Sequence, residues 1–304
     1  MLKKQTGILQ VQKLYLQMLF RCNFDCEHCF QGVKLQQDDH FTLPEAKSAI
    51  SLFCREYGLK SVTLLGGEPF LHPNLSDVLS FCKELNLETV ICTNGYRISK
   101  MLSKIASNLD HLRVSIDGLR QTHDEIRREG SFDAALETLA FARQLKIPTS
   151  VTTTITKKSV GQLYELARTV ESYGVTGLKL HQLRLIGNAE KHPELLCEGR
   201  DLEILHNEIE RVQEDLKISI LLDDDLDPKK SLVTDEVEVD TYELERIEIQ
   251  PDGAMYVSCK AVGNNSNAFW LKKDVGEIDY RPTLTDEVTT HSPQVRYARL
   301  ENGR

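Results

Sequence analysis

Residues 14–185 read as an α/β domain built on parallel strands, and two observations lead to that class. Short apolar runs alternate with segments of helical periodicity, the pattern of successive βαβ units. Polar and glycine-rich motifs fall where the apolar runs end, and the carboxyl ends of parallel strands are where α/β folds gather ligands.

The first run, residues 14–20 (Leu-Tyr-Leu-Gln-Met-Leu-Phe), predicts a buried strand that delivers the next segment, a cysteine-rich loop, from its carboxyl end. Thr42-Leu43-Pro44-Glu45 is a capping box with proline early in the helix. Ala46, Ala49, Ile50, Phe53, Cys54 and Tyr57 then line one helical face, and Gly58 stops it. Further strands are predicted at 61–65, 88–93, 111–117, 149–155 and 177–183, with helices at 75–85, 97–106, 131–145 and 160–173. The count is six strands, short of the eight that close a TIM barrel. Cys54 and Cys82 fall on apolar helical stripes and Cys92 on the third strand, so all three read as small core residues.

A boundary is expected near residues 188–200, giving a domain at 1–188 and an extension at 189–304. Leu202, Leu205, Ile209, Val212 and Leu216 predict an amphipathic helix. Residues 223–240 are acidic and polar; Asp223-Asp224-Asp225 lacks the ligand spacing of an EF-hand and reads as surface loop. Residues 246–250 and 254–259, joined by Pro251-Asp252-Gly253, predict a β-hairpin.

Across 304 residues Asp and Glu outnumber Lys and Arg by 46 to 37, a net charge of −9, so the chain lacks the overall basic field with which proteins bind nucleic acid. Eight irregularly spaced cysteines do not form a secreted disulfide framework and point to a reducing, cytoplasmic setting. The first ten residues have no uninterrupted apolar stretch and no small-residue cleavage site, and nothing in the sequence reaches transmembrane length, so neither signal peptide nor membrane span is expected.

The chemistry is concentrated in Cys22-Asn23-Phe24-Asp25-Cys26-Glu27-His28-Cys29. Three thiols this close on one loop want a metal, and three are one short of the four that usually hold an iron–sulfur cluster. A [4Fe–4S] cube on this loop would keep one iron open for a non-protein ligand, as a catalytic zinc keeps an open position. The alternatives are a Cys₃His zinc site completed by His28 or His40, and three structural or redox-active thiols. Gly66-Gly67-Glu68-Pro69 comes after the second strand: adjacent glycines admit close backbone approach, and Glu68 offers a carboxylate to a ligand cation. Asn94 and Ser115 end the third and fourth strands as polar groups at the same end. Arg128 reads as solvated or salt-bridged, Ser131 as a helix cap, and residues 181–188 as a polar strand end that either lines a cavity or is structural.

Taken together, the C-x₃-C-x₂-C loop and the Gly-Gly-Glu-Pro turn resemble the signature of the radical S-adenosylmethionine (SAM) superfamily. The run Ser115-Ile116-Asp117-Gly118, His123-Asp124 with Arg127, and Gly130-Ser131-Phe132 resembles its SPASM/twitch branch, which includes peptide maturases. The resemblance implies a (β/α)₆ partial TIM barrel with a small α+β twitch-like C-terminal extension, and an oxidoreductase-type radical SAM enzyme. It implies a [4Fe–4S] cluster on Cys22, Cys26 and Cys29, and SAM bound by Gly66, Gly67, Glu68, Asn94 and Ser115 with His28 near the adenine. It also implies an electron donor such as flavodoxin or ferredoxin. Twitch-type hairpins lead into a cysteine that ligates an auxiliary cluster together with several others. Here only Cys197 and Cys259 lie beyond the barrel, so that cluster is expected to be lost. Without an auxiliary electron acceptor a redox-neutral outcome such as epimerisation is expected, with Cys259 the first candidate for a catalytic hydrogen-atom donor and Cys197 the second. The substrate classes open are a ribosomally made peptide and a sugar, nucleoside or other small metabolite, with a non-catalytic metal-binding protein as the third reading. A cluster loop beginning at residue 22 leaves no room for a separate N-terminal peptide-docking domain, which weighs against the peptide.

Overall fold

The computed structural model describes residues 10–222, 243–256 and 269–280. The chain divides into two compact units. The first takes residues 10–21, 36–90 and the described part of 234–304; the second takes 22–35 and the described part of 91–233.

In the first unit, β1 (Gln10–Gln17) lies parallel to β2 (Ser61–Leu65), with Lys13 opposite Ser61 and Gln17 opposite Leu65. The strand starts four residues before the predicted run because Val11 is buried behind Gln10, and its pairing partner on that stretch is remote in sequence. Helix α1 (Leu43–Tyr57) begins as its sequence requires. Thr42 accepts from the Glu45 N–H, Glu45 returns the bond to the Thr42 N–H, and Gly58 closes the helix in the left-handed conformation. Its buried face is Ala46, Ala49, Ile50, Phe53 and Tyr57, while Cys54 sits at the half-buried margin. Helix α2 (Leu75–Glu84) buries Cys82 completely.

The strand order in this unit is β11-β10-β9-β8-β1-β2. Strands β8 (Glu243–Ile249) and β9 (Ala254–Tyr256) form the predicted hairpin, antiparallel with Glu248 opposite Tyr256. The Gly253 N–H bonds the Gln250 carbonyl at 2.9 Å to close the turn. The other edge of β8 pairs parallel with β1, from Gln10 opposite Glu243 to Leu16 opposite Ile249. Short strands β10 (Phe269–Lys272) and β11 (Glu277–Tyr280) extend the antiparallel end.

In the second unit β3 (Glu88–Thr93) enters with residues 91–93 and the order is β3-β4-β5-β6-β7. Strands β4 (His111–Ser115), β5 (Thr149–Ile155), β6 (Gly177–Gln182) and β7 (Ser219–Leu222) are parallel neighbours in succession. Between them lie α3 (Ser99–Ile105), α4 (Arg120–Ile126), α5 (Ser131–Gln144), α6 (Leu163–Ser172) and α7 (Arg200–Asp215). Strands β4 and β5 alternate buried and half-buried residues: Leu112, Val114, Val151 and Thr153 lie on one, buried face, and Arg113, Ser115, Ser150 and Thr152 on the other. Helix α7 packs on α6, where buried Glu208 accepts a bond from the Tyr164 N–H at 2.9 Å.

The class is therefore α/β, with mostly parallel strands separated by helices as predicted. Strands β10 and β11 were not foreseen, nor were two elements of the second unit. Residues 120–126 carry motif residues that mask a two-turn helix, and β7 is four residues long, too short to leave a pattern. Among the described residues no helix is long and apolar enough to cross a membrane.

Candidate functional site

The cysteine loop is held from several sides within the second unit. The Glu27 N–H donates to the Ile126 carbonyl at the end of α4 at 2.9 Å, and Asn94 Nδ2 donates to Asn23 Oδ1 at 2.8 Å. Arg128 donates to the Asn23 carbonyl at 3.0 Å and lies over the rings of Phe24 and Tyr96, which themselves meet edge to face. Arg128 is thus bound to the loop by hydrogen bond and cation–π contact, where the sequence suggested a solvated or salt-bridged side chain; the partner carbonyl is 105 residues away and leaves no local trace.

The residues after β6 form the other clamp. The Asn188 N–H donates to the Cys29 carbonyl at 2.8 Å, and its side-chain amide donates to Asp25 Oδ1 at 2.7 Å and to the Cys26 carbonyl at 3.1 Å. Gly187, at φ +66°, passes so close that a Cβ there would stand 2.5 Å from the Phe30 carbonyl oxygen and 2.6 Å from that of Cys29. The polar strand end at 181–188 therefore supports the loop through Gly187 and Asn188. A Gly-Asn pair just past a strand is the signal that could have found it.

Cys26 is buried and Cys22 and Cys29 half-buried. Burial pushes the Cys26 thiol up to about 12, with Arg127 pulling down and the neighbouring Cys29 and Cys22 pushing up; burial likewise raises Cys29. Three gathered thiols of this kind ionise when they bind metal, because the charge of the metal inverts the local balance. Among the described residues no three His, Cys, Asp or Glu side chains converge closely enough to share a single ion. The thiolates of a cube each bind a different iron and need not converge, whereas a zinc ion would require it. His28 and His40 are also engaged elsewhere, His28 Nε2 with Asp117 Oδ2 at 2.8 Å and His40 Nδ1 with the Asp38 carbonyl at 2.8 Å. With its Nε2 on a carboxylate, His28 leaves an Nδ1 that is buried and has no hydrogen-bond partner. The donor set and this orphaned ring nitrogen fit a cluster with a ligand beside it better than mononuclear zinc.

Asp117 anchors the rear of this arrangement. Wholly buried, it receives His28, the Arg127 Nε–H and the Thr154 N–H, the last at 2.8 Å. Burial alone would raise its pKa, but Arg127 and then His28 hold it well below the usual carboxylate range. Burial would lower Arg127, and Asp117 raises it instead. The Asp117 N–H donates to Nδ1 of buried His123 at 3.1 Å, so that ring is held as the Nε2–H tautomer. Ser131 is not the cap of α5. Gly130 occupies that position, and Asp124 reaches over from α4 to accept from the N–H groups of Gly130 and Phe132 at 2.9 and 2.8 Å.

The other candidate residues are divided between the two units. In the first unit, the Gly67 N–H donates to the Leu19 carbonyl at 2.8 Å and the Glu68 N–H to that of Arg21 at 3.1 Å, strapping the turn to the residues that lead into Cys22. A Cβ on Gly67 would sit 2.2 Å from the carbonyl oxygens of Phe20 and Arg21, so glycine is already required there by the chain's own backbone. Glu68 is buried and accepts from the Phe70 N–H at 3.1 Å, capping the 3₁₀ turn Pro69–Leu71. In the second unit Asn94 also accepts from the Tyr96 N–H, and Ser115 ends β4 opposite Thr152. Cys92 is half-buried with its sulfur 3.7 Å from Arg113 Nη1. Cys197 is buried ahead of α7, its thiol pushed up to about 11 by burial. Cys259 and residues 223–242 lie outside the described residues.

A family model described as the radical SAM superfamily matches residues 16–170, half of the chain. The chain belongs to the radical SAM superfamily. This radical SAM chain is 28% identical over 178 residues to the Fe-coproporphyrin III synthase of Methanosarcina barkeri, covering 57% of this chain and 44% of that protein. It is 27% identical over 212 residues to a probable GTP 3′,8-cyclase of Sulfurisphaera tokodaii, covering 68% and 64%. To the mycofactocin maturase MftC of Mycobacterium tuberculosis it is 29% identical over 188 residues, covering 58% and 47%. It therefore spans 44% to 64% of the length of these relatives. Its fold resembles that of Streptococcus suis SuiB bound to S-adenosylmethionine, with TM-score 0.69, 18% identity, and coverage of 86% of this chain and 64% of that one. It also resembles anSMEcpe with bound AdoMet and Cp18Cys peptide, with TM-score 0.63, 15% identity, and coverage of 81% and 73%.

The buried His123 gives a measurable pH dependence. Burial and then Arg127 lower its pKa from 6.5 to about 4, so between those values the unfolded chain binds the extra proton. The stabilisation is full above pH 6.5 and is lost as pH falls toward 4, on the order of 3 kcal/mol. Denaturant unfolding monitored from about pH 7 down to about pH 4.5 should show a shallower loss in His123→Gln than in the parent. Equal slopes would mean that another group titrates.

Proposed function

We propose that this chain is a radical SAM enzyme carrying a [4Fe–4S] cluster on Cys22, Cys26 and Cys29. The observation that carries the reading is the gathering of these thiols on a loop fixed by Ile126, Arg128 and Asn188, within the residues that match the superfamily. The chemistry supplied on loading is one-electron cleavage of SAM to methionine and a 5′-deoxyadenosyl radical, which removes a substrate hydrogen. The three thiolates of Cys22, Cys26 and Cys29 would hold the cluster, and with one thiolate fewer than the usual four they would leave it a position for a non-protein ligand such as SAM. Glu68 offers its carboxylate to the SAM ammonium, Gly66 and Gly67 leave the turn free of side chains, and Asn94 and Ser115 offer polar contacts. The buried Nδ1 of His28, without a partner in the protein, would be open to a polar group such as those of the adenine.

For substrate and outcome we propose a redox-neutral change, such as epimerisation, in a ribosomally made peptide. The names of relatives support a peptide: a maturase among the curated proteins, and SuiB bound to its precursor peptide SuiA among the structures. Other relatives named as Fe-coproporphyrin III synthase and GTP 3′,8-cyclase favour a small-metabolite substrate as the second reading. A hydrogen-atom donor is needed for epimerisation, and Cys259 is the first candidate, with Cys197 second.

Anaerobically reconstituted protein should hold about four irons per chain and lose them when Cys22, Cys26 and Cys29 are all replaced by Ala. Retained iron in that variant, or stoichiometric zinc in native protein purified without air, would sink the assignment.

Glu68→Gln keeps an acceptor for the Phe70 N–H but removes the charge, so SAM affinity should fall about tenfold with the iron unchanged. Unaltered affinity at full iron content would place the ammonium elsewhere.

With substrate in deuterated water, Cys259→Ala should still form 5′-deoxyadenosine while losing the normal product. Full product with unchanged solvent deuterium incorporation would remove Cys259 from the role.

A further inference from the structure

The loop that carries the three cysteines lies beside an ion pair withdrawn from water. The Asp117 side chain is 0% exposed and that of Arg127 11%, and they are joined through Arg127 Nε. Both flanks of Arg127 are fastened to the loop, Ile126 by its carbonyl to the Glu27 N–H at 2.9 Å and Arg128 by its guanidinium to the Asn23 carbonyl at 3.0 Å. Asp117 is in turn fixed to the loop by His28 Nε2 at 2.8 Å and to β5 by the Thr154 N–H at 2.8 Å. A buried ion pair is no better for stability than well-packed apolar residues of the same volume, so its place against the cysteines calls for another reason.

We propose that Arg127, locked in place by Asp117, is a positioning residue whose fixed positive charge raises the reduction potential of the cluster held by Cys22, Cys26 and Cys29. The inference rests on the cluster assigned above. Reduction adds one electron from a one-electron donor, and so one negative charge, to a cluster enclosed by a medium of low polarity. A cation held nearby favours the reduced form. Net charge and hydrogen bonding around the sulfurs are the levers by which a protein sets such potentials. Arg127 sits between two residues bonded directly to the backbone of the loop, whereas Asp117 reaches the loop through the ring of His28, so the cation is the nearer charge to the loop backbone. The side chain is kept from turning away to water, because the carboxylate that holds it is itself held by His28 and the Thr154 N–H.

The test is a redox titration of the reconstituted cluster, monitored by electron paramagnetic resonance, in the parent, Arg127→Gln, Arg127→Lys and Asp117→Asn, with iron counted in each. Arg127→Gln should make reduction at least tenfold less favourable, a fall of about 59 mV for one electron. Asp117→Asn should shift the potential the opposite way, and Arg127→Lys, which keeps the charge, should stay within about twofold of the parent equilibrium. A purely structural role would instead lower iron content in all three variants without opposed shifts. Shifts of the same sign in Arg127→Gln and Asp117→Asn, or potentials unmoved in both, overturn the proposal. If Arg127→Gln holds no cluster, the other two decide: Asp117→Asn upward with Arg127→Lys unmoved supports it, and any other pair of results overturns it. A parent that binds no iron would bring down the functional reading itself, whereas a loaded parent with unmoved variants removes only the role of Arg127.

Discussion

Three thiols can share an eight-residue loop out of water only if the backbone of that loop finds its hydrogen bonds elsewhere, and much of the second unit is arranged to meet that condition. A loop is too short to satisfy its own N–H and C=O groups, and each one buried without a partner costs as much as a lost hydrogen bond. Here the Glu27 N–H goes to α4, the Asn23 carbonyl to Arg128, and the carbonyls of Cys26 and Cys29 to Asn188. The loop is thereby held on three sides by polar contacts, leaving its thiols gathered.

The same economy explains why motif residues turn out to have structural duties. Gly67 is glycine because the backbone of residues 20–21 leaves no room for a Cβ, and Glu68 caps the adjoining 3₁₀ turn. Neither duty conflicts with a role toward SAM. A backbone pressed this tightly and a carboxylate this buried are pre-set in position, which is what a binding site gains from rigid support.

Much of this was legible in the sequence. The strands at 61–65, 88–93 and 149–155 and the cap and stop of α1 follow from local pattern, since each depends on neighbours within a few residues. What escaped reading depends on distant partners. The pairing of β8 with β1 joins residues more than two hundred positions apart, and nothing in Arg246–Ile249 says which strand its second edge will meet. Among the candidate residues, the cysteine loop and the Gly-Gly-Glu-Pro turn announced themselves by composition and spacing. The duties of Arg127, Arg128 and Asn188 did not, because single polar residues acquire meaning only from what the fold brings to them.

The contact between Gly187 and the carbonyls of Cys29 and Phe30 has a consequence for how the molecule comes to be made. The loop emerges from the ribosome early, but the residues that grip its far side come more than 150 positions later. Until then the backbone of the loop lacks part of its support, and its thiols belong to an incompletely enclosed segment of a growing chain. Closing so long a span is entropically slow and is offset only when β6 docks and brings residues 187–188 to the loop. Enclosure of the cysteine loop is thus tied to the arrival of residues 187–188: a shorter nascent chain has the three thiols but not the backbone that closes over them.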